Sequence, residues 1–347
     1  MIEKTILGKT GIEVTRLGFG GIPIQRVSEK VAIDTVVRAL EKGIDFIDTA
    51  RAYTVSEGRI GKAIIQAGKR PVLSSKSQQR SAEGILKHID QSLKELGVDM
   101  IDIYHCHEVS KEEVYRKIIG PGGAMEGLIR ARDEGKIRFI GITSHSIDLL
   151  DKIIDDGYVD CIMVCFSFLE PSAITRVIPK AIEKEIGVIA MKPLSGGAIE
   201  DYTIGLKYVL SFKDILPIVG MESPSMVDRN WEVFLSSDRY ITKEEEKKIE
   251  RIREEFGKRF CRRCDYCQPC SEEIPIQYVL GIKYIIKRMG IGVLDRKWIQ
   301  DALEKANKCT ECGKCMERCP YELPIPDLIK ESLKWVEEEK SKRKEMK

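Results

Sequence analysis

The chain has 347 residues, and its 57 basic and 55 acidic side chains leave a formal net charge of +2. That balance excludes the broad basic field needed to hold nucleic acid or an anionic membrane. The first residues, Met1-Ile-Glu-Lys-Thr-Ile-Leu, contain no apolar signal core, and no apolar run approaches a bilayer span, so a cytoplasmic protein is expected.

The segment before Val14, with Gly8 and Gly11, reads as a small hairpin. From there to about residue 221, short β-rich apolar runs alternate with amphipathic segments, the mark of repeated βα units. The runs are Val14–Gly20, Asp45–Ala50, Val72–Ser77, Ile101–His107, Phe139–Ser144, Cys161–Phe168, Val188–Pro193 and Leu216–Met221. Apolar residues three and four apart, as in Ile85, Ile89, Leu93 and Leu96, predict the intervening helices. Eight strands and eight helices predict an α/β fold of the (β/α)8 TIM-barrel kind over an open sheet.

Barrel enzymes build their sites from the loops after the strands. Asp48 ends the second run with Tyr53 beyond it, Lys76 falls at the end of the third, and His107 closes the fourth. A lysine beside a tyrosine favours the phenolate, and an aspartate beside the lysine keeps its ammonium charged. A nearby imidazole can donate to a carbonyl oxygen. The four together make a proton relay suited to carbonyl reduction. His88 reads as structural, and Cys106, Cys161 and Cys165 as core thiols. Gly18, Gly20 and Gly21 fit a close-packed first βα turn as readily as a phosphate site, with Gly20 the candidate for cofactor contact.

Thr242 opens a capping box with Glu245, and the helix it starts ends near Gly257. There the composition turns cysteine-rich, which places the domains at 1–256 and 257–347. Cys309, Cys312, Cys315, Cys319 and Pro320 follow the run Cys-x-x-Cys-x-x-Cys-x-x-x-Cys-Pro. Cys261, Cys264, Cys267 and Cys270 nearly repeat it, with one residue fewer in the last gap. Zinc would take two separated Cys-x-x-Cys pairs, whereas unbroken three-residue steps over-supply one tetrahedron and suit the corners of a 4Fe–4S cubane. By analogy with two-cluster ferredoxins, Cys261, Cys264, Cys267 and Cys319 hold one cluster, and Cys309, Cys312, Cys315 and Cys270 the other. Helical spacing of Tyr278, Ile282, Ile285 and Met289, and of Leu294, Trp298, Ala302 and Ala306, predicts a mostly helical ferredoxin-like domain. The charged residues after Val336 read as a solvated helix end.

The segment Asp48-Thr-Ala-Arg-Ala-Tyr53-Thr-Val-Ser-Glu57 resembles the strand-two signature of the aldo-keto reductase family. Ser92-Leu-Lys-Glu-Leu96-Gly-Val-Asp99-Met-Ile-Asp102 is similar to that family's approach to its histidine strand. Gly135-Lys-Ile-Arg-Phe-Ile-Gly141-Ile-Thr-Ser144-His145 resembles the strand facing its nicotinamide. Over residues 1–256 the resemblance implies Tyr53 as general acid, Lys76 and Asp48 as its tuning pair, and His107, rather than His105, as substrate orienter. It also implies cofactor contacts at Ser144 and His145, and a pyrophosphate loop of Met191, Lys192, Pro193, Leu194, Ser195 and Gly197. The segment from Gly220 to Arg229 and Asn230 would take the adenosine end. NADPH-selective members place Lys and Arg where this chain has Gly220 and Met226, which leaves NADH, NADPH and FMN open.

The expectation is an oxidoreductase of carbonyl or alcohol substrates, linked to NAD(P)H or flavin and coupled through two 4Fe–4S clusters to ferredoxin or another redox protein. The alternative is an electron-relay module whose barrel serves as a docking scaffold.

Overall fold

The computed structural model describes residues 2–238 and 240–345. The chain forms two compact units, Met1–Ser195 with Ile199–Thr242, and Gly196–Ala198 with Lys243–Lys347. Among the described residues no helix is long and apolar enough to cross a membrane.

In the first unit, β1 (Lys4–Ile6) and β2 (Glu13–Thr15) pair as an antiparallel hairpin. Eight further strands are β3 (Gly18–Gly20), β4 (Phe46–Asp48), β5 (Val72–Ser77), β6 (Ile101–Cys106), β7 (Ile137–Ser144), β8 (Cys161–Cys165), β9 (Gly187–Met191) and β10 (Leu216–Gly220). They close into a parallel barrel in the order β10-β3-β4-β5-β6-β7-β8-β9, the architecture the alternating pattern predicts.

Two details differ from the sequence reading. The run Val14–Gly20 is two strands, because the backbone and side chains between them are spent on other partners. Thr15 N donates to Asp45 Oδ1 at 2.7 Å, Thr15 Oγ1 donates to Gly43 O, and Arg16 N donates to Glu3 O. Hairpin and barrel strand therefore part at Arg16. Between β6 and β7 there are two helices, Glu112–Ile119 and Ala124–Asp133, where the alternating pattern predicts one.

Residues alternate across each barrel strand. Ile47, Leu73, Tyr104, Ile162 and Val188 join the large core beneath the outer helices. Phe46, Ile103, Met163, Ile189 and Leu216 form a second core with Leu7, Ile12 and Val14 of the hairpin. Two residues further along β4 and β6, on the same inner face, the apolar filling gives way to Asp48 and His105, and on β5 Ser74 and Lys76 follow Val72, all four buried. The polar end of the interior is thus the end where the strands finish.

The second unit is helical, with Lys243–Phe256, Ile276–Leu280, Ile282–Met289, Lys297–Ala306, Lys314–Glu317 and Ile325–Glu345. The sequence boundary at about residue 257 differs from the division after Thr242, for a reason of packing. Phe256 meets Phe260 edge-on at 6.2 Å, and Phe260 in turn meets Tyr284 at 5.9 Å, so the helix Lys243–Phe256 belongs with the cysteine-bearing unit. The charged end beyond Val336 continues the last helix, and residues 346 and 347 lie outside the described part.

The two cysteine motifs are copies in backbone as well as spacing. Arg263 and Asp265 flank Cys264 with φ of 60° and 66°, while Glu311 and Gly313 flank Cys312 with 56° and 76°. The repeat runs on past the cysteines. Glu273 N donates to Cys270 O and Glu322 N to Cys319 O, after which Ile-Pro-Ile and Leu-Pro-Ile each lead into a helix.

Candidate active site and cysteine ligands

Asp48 and Lys76 stand on adjacent strands and form a buried ion pair, with Lys76 Nζ 2.6 Å from Asp48 Oδ2. Lys76 Nζ also donates to Thr49 O at 2.7 Å, and Ser74 Oγ donates to Asp48 Oδ1 at 2.8 Å. Burial pushes Lys76 below the ordinary lysine range, and Asp48 opposes that shift. Burial likewise raises Asp48, against the pull of Lys76 and Ser74. Each charge offsets part of the cost of burying the other.

Tyr53 is half-buried on the short turn Arg51–Tyr53, and Lys76 Nζ lies 5.1 Å from the centre of its ring. His107 comes just after the end of β6 and meets the Tyr53 ring edge-on, 5.9 Å between centres at 84°. Its Nδ1 is buried with no hydrogen-bond partner. Burial first, then the Lys76 charge, holds His107 well below the ordinary histidine value, so the ring is neutral at pH 7. The structure therefore brings Asp48, Tyr53, Lys76 and His107 together at one rim.

The turn that carries Tyr53 is anchored from below. Gly21 N donates to Asp48 O at 2.7 Å, and a Cβ at Gly21 would sit 2.8 Å from that oxygen, so only glycine fits. Thr49 Oγ1 donates to Ser56 Oγ, which donates to Gly21 O. Buried Glu57 accepts from Ser75 Oγ at 2.6 Å and from Arg51. His88 contacts Ser77 Oγ and Gln79 in a separate polar group.

The other candidates spread around the same strand ends. Gly20, Ser144, Met191 and Gly220 end β3, β7, β9 and β10. His145 Nε2 lies 2.7 Å from Lys192 Nζ, which joins the loops after β7 and β9. In the β9 loop Pro193 and Leu194 lie between Lys192 and Ser195, which have φ of 58° and 48°, and Ser195 Oγ meets Ser167 Oγ at 2.6 Å. Gly197 falls in the second unit. Arg229 and buried Asn230 sit on the helix Pro224–Leu235, with the Arg229 guanidinium over Tyr202.

Sequence reasoning missed Ser74 and Thr49. Ser74 lies two residues before Lys76, on the same face of β5, and its register partner on β4 is Asp48. Period two alone points to it. The Thr49 contact is made by a backbone carbonyl, for which side-chain chemistry gives no signal.

In the second unit, Cys267 lies in an apolar core with Ile274, Ile276, Leu323 and Ile325, and Cys261, Cys270, Cys309, Cys315 and Cys319 pack against it. Burial pushes the Cys261 thiol up to about 11, and the thiols of Cys264 and Cys267 to about 12. Cys319 adds to the shift at each of these three, so it lies within their electrostatic reach. Cys270, Cys309, Cys312 and Cys315 instead line one cavity. The donor chemistry, eight thiols in two motifs of four with six of them in or against an apolar core, fits two iron–sulfur cubanes. Among the described residues, no three His, Cys, Asp or Glu stand as a ready-made site for a single metal ion.

Comparison with known proteins agrees with the barrel and extends it. Residues 16–204 match the family described as the aldo/keto reductase family. The chain belongs to this family. Residues 260–324 of this aldo/keto reductase match a 4Fe-4S dicluster domain. L-galactose dehydrogenase of Arabidopsis thaliana is 30% identical over 283 residues, 66% of this chain and 87% of that protein. The NADH-specific methylglyoxal reductase of Escherichia coli is 29% identical over 238 residues, 60% of this chain and 72% of that protein. An aldo-keto reductase from Klebsiella pneumoniae, solved in complex with NADPH, superposes with a TM-score of 0.61 over 73% of this chain and 95% of its own. At 20% identity that likeness shows the fold alone. The reductase is an oxidoreductase with an iron–sulfur domain.

Proposed function

We propose that the barrel reduces a small aldehyde or ketone with NADH or NADPH, or oxidises the corresponding alcohol. The observation that carries this reading is the buried Asp48–Lys76 pair beside Tyr53, with neutral His107 against the same ring. A reduced nicotinamide, when bound, supplies the hydride that adds to the carbonyl carbon. The residues of the chain supply the proton. Tyr53 Oη gives its proton to the carbonyl oxygen as negative charge develops there, and the Lys76 ammonium stabilises the phenolate left behind. Two of the three Lys76 N–H groups are held by Asp48 and Thr49 O, which leaves the third for Tyr53. His107, neutral and unable to donate through its buried Nδ1, orients the carbonyl through Nε2.

Ser144, His145, Lys192 and the backbone of the β9 loop are the groups at the rim that would hold the cofactor. One relative is NADH-specific by name and one structural neighbour holds NADPH, so the reading covers both nicotinamides. Nothing in these matches supports the flavin alternative. In the second unit, Cys261, Cys264, Cys267 and Cys319 would hold one 4Fe–4S cluster, and Cys270, Cys309, Cys312 and Cys315 the other. Such clusters exchange single electrons, which calls for a one-electron partner such as ferredoxin.

The test uses anaerobically purified protein, methylglyoxal as the probe carbonyl, and NADH or NADPH oxidation as the signal. Tyr53→Phe should lower kcat about 100-fold or more, the range for a lost general acid, with nicotinamide binding and iron content kept. Turnover by Tyr53→Phe equal to the parent would end the proposal.

A further inference from the structure

His105 is an ionisable side chain inside the barrel that the proton relay leaves unused. It is fully buried, opposite Lys76 in the β5–β6 register. Its Nε2 lies 3.1 Å from Ser74 Oγ, and Ser74 Oγ lies 2.8 Å from Asp48 Oδ1. Asp48 in turn holds Lys76 at 2.6 Å. With Asp48 ionised beside Lys76, these contacts set the direction of each proton. An ionised carboxylate only accepts, so the single Ser74 hydroxyl proton goes to Asp48. Ser74 Oγ can then only accept from His105, which requires the proton of the neutral ring to sit on Nε2. Nδ1 has no partner in hydrogen-bond geometry and faces Gly141, where a Cβ would come within 2.1 Å of it, and the nearby Ile142 backbone favours the charged ring.

We propose that His105 is a positioning residue for the Asp48–Lys76 pair. As the Nε2–H tautomer it donates to Ser74, which fixes the serine hydroxyl on Asp48 Oδ1 and leaves Oδ2 for Lys76. The aspartate reaches its charge balance in a dry interior through this donor chain, since each hydrogen bond in a chain polarises the next. Burial pushes His105 down to about 3, so the ring carries one proton throughout the neutral range. His105 touches neither substrate nor cofactor in this arrangement; it acts through Ser74.

The consequence for catalysis rests on the proposed proton relay, whereas the consequence for the tautomer does not. The first experiment is therefore NMR of the holoprotein labelled with ring-15N histidine, a chain with only four histidines. Comparison with His105→Gln assigns the signals. A neutral His105 ring protonated on Nε2 at pH 7 is expected. A ring protonated on Nδ1, or a doubly protonated ring, overturns the proposal. The second experiment compares His105→Leu with His105→Gln in methylglyoxal reduction. Leucine cannot donate, and kcat should fall about tenfold with KM little changed, the worth of one hydrogen bond near a charge. The glutamine amide can donate to Ser74 and should recover most of that loss. A folded His105→Leu protein with the parent kcat also overturns the proposal. Should His105→Leu fail to fold, the tautomer decides. Should the parent protein reduce no carbonyl, the functional reading fails and the tautomer still decides the donor chain.

Discussion

Gly141 and His105 set each other's limits. The His105 ring occupies the space where any side chain at Gly141 would begin, with Nδ1 at 2.1 Å and Cε1 at 2.4 Å from the ideal Cβ. Gly141→Ala must displace a ring held by Ser74, and overpacking of this kind costs about 1–3 kcal/mol. Urea titration should show that loss, and the combination with His105→Ala should be less unstable than the sum of the two single changes, because the clash then disappears. Full additivity would mean that the ring is not what Gly141 accommodates. His105 also predicts an acid response. Its folded value is pushed from 6.5 down to about 3, so as pH falls below 6.5 the unfolded chain takes up a proton that the folded chain refuses. Stability from this site is intact above pH 6.5 and drains away as pH falls towards 3. Thermal melts across that window should depend less on pH in His105→Gln than in the parent.

Among the elements, the joint between hairpin and barrel depends on a buried cation. Arg16 donates to Leu210 O at 2.8 Å, to Phe212 O at 2.7 Å and to the Glu3 carboxylate. Leu210 ends the helix Tyr202–Leu210, where free carbonyls favour a positive charge. Arg16→Met would keep the bulk but remove the donor to the Leu210 and Phe212 carbonyls and the ion pair with Glu3. A buried carbonyl left without its donor costs about 1–3 kcal/mol, so the midpoint of chemical unfolding should drop clearly, and a change within error would discount this joint. The same joint shows what the sequence could tell. Apolar alternation locates the barrel strands because most face a core on both sides. It merges the first two because Val14, Leu17 and Phe19 are all apolar, while the side-chain bonds of Thr15 and Arg16 that separate them lie far along the chain. Asp48, Lys76 and His107 stand out as polar residues where apolar runs stop. Tyr53 lies on a turn with no period of its own; its place in the loop after Asp48 suggests it, and its resemblance to a family motif gives it a role. Ser74 is within reach of the period-two rule, yet one serine in a strand that holds three draws attention only once its neighbour on β4 is known.

For the whole molecule, the repeated cysteine motifs pose a question of wiring. Copies that match in φ around Cys264 and Cys312, and that continue through Glu273 and Glu322 to the start of a helix each, imply two halves of related build in one iron–sulfur unit. Spacing alone gives three ligands per half and leaves the owner of the fourth open. In the fold, Cys319 acts electrostatically on Cys261, Cys264 and Cys267, and Cys270 shares a cavity with Cys309, Cys312 and Cys315. Exchange of the fourth ligand makes a definite prediction for paired substitutions. Cys264→Ala with Cys319→Ala should damage one cluster twice, so about four irons and four sulfides per chain remain. Cys312→Ala with Cys319→Ala should damage both, and the iron content should fall below that of the first pair. If each motif instead kept its own cluster, the order would reverse, because Cys312 and Cys319 would then serve the same cubane. Iron and sulfide analysis of the two double variants, prepared without oxygen, separates these outcomes without any measurement of turnover.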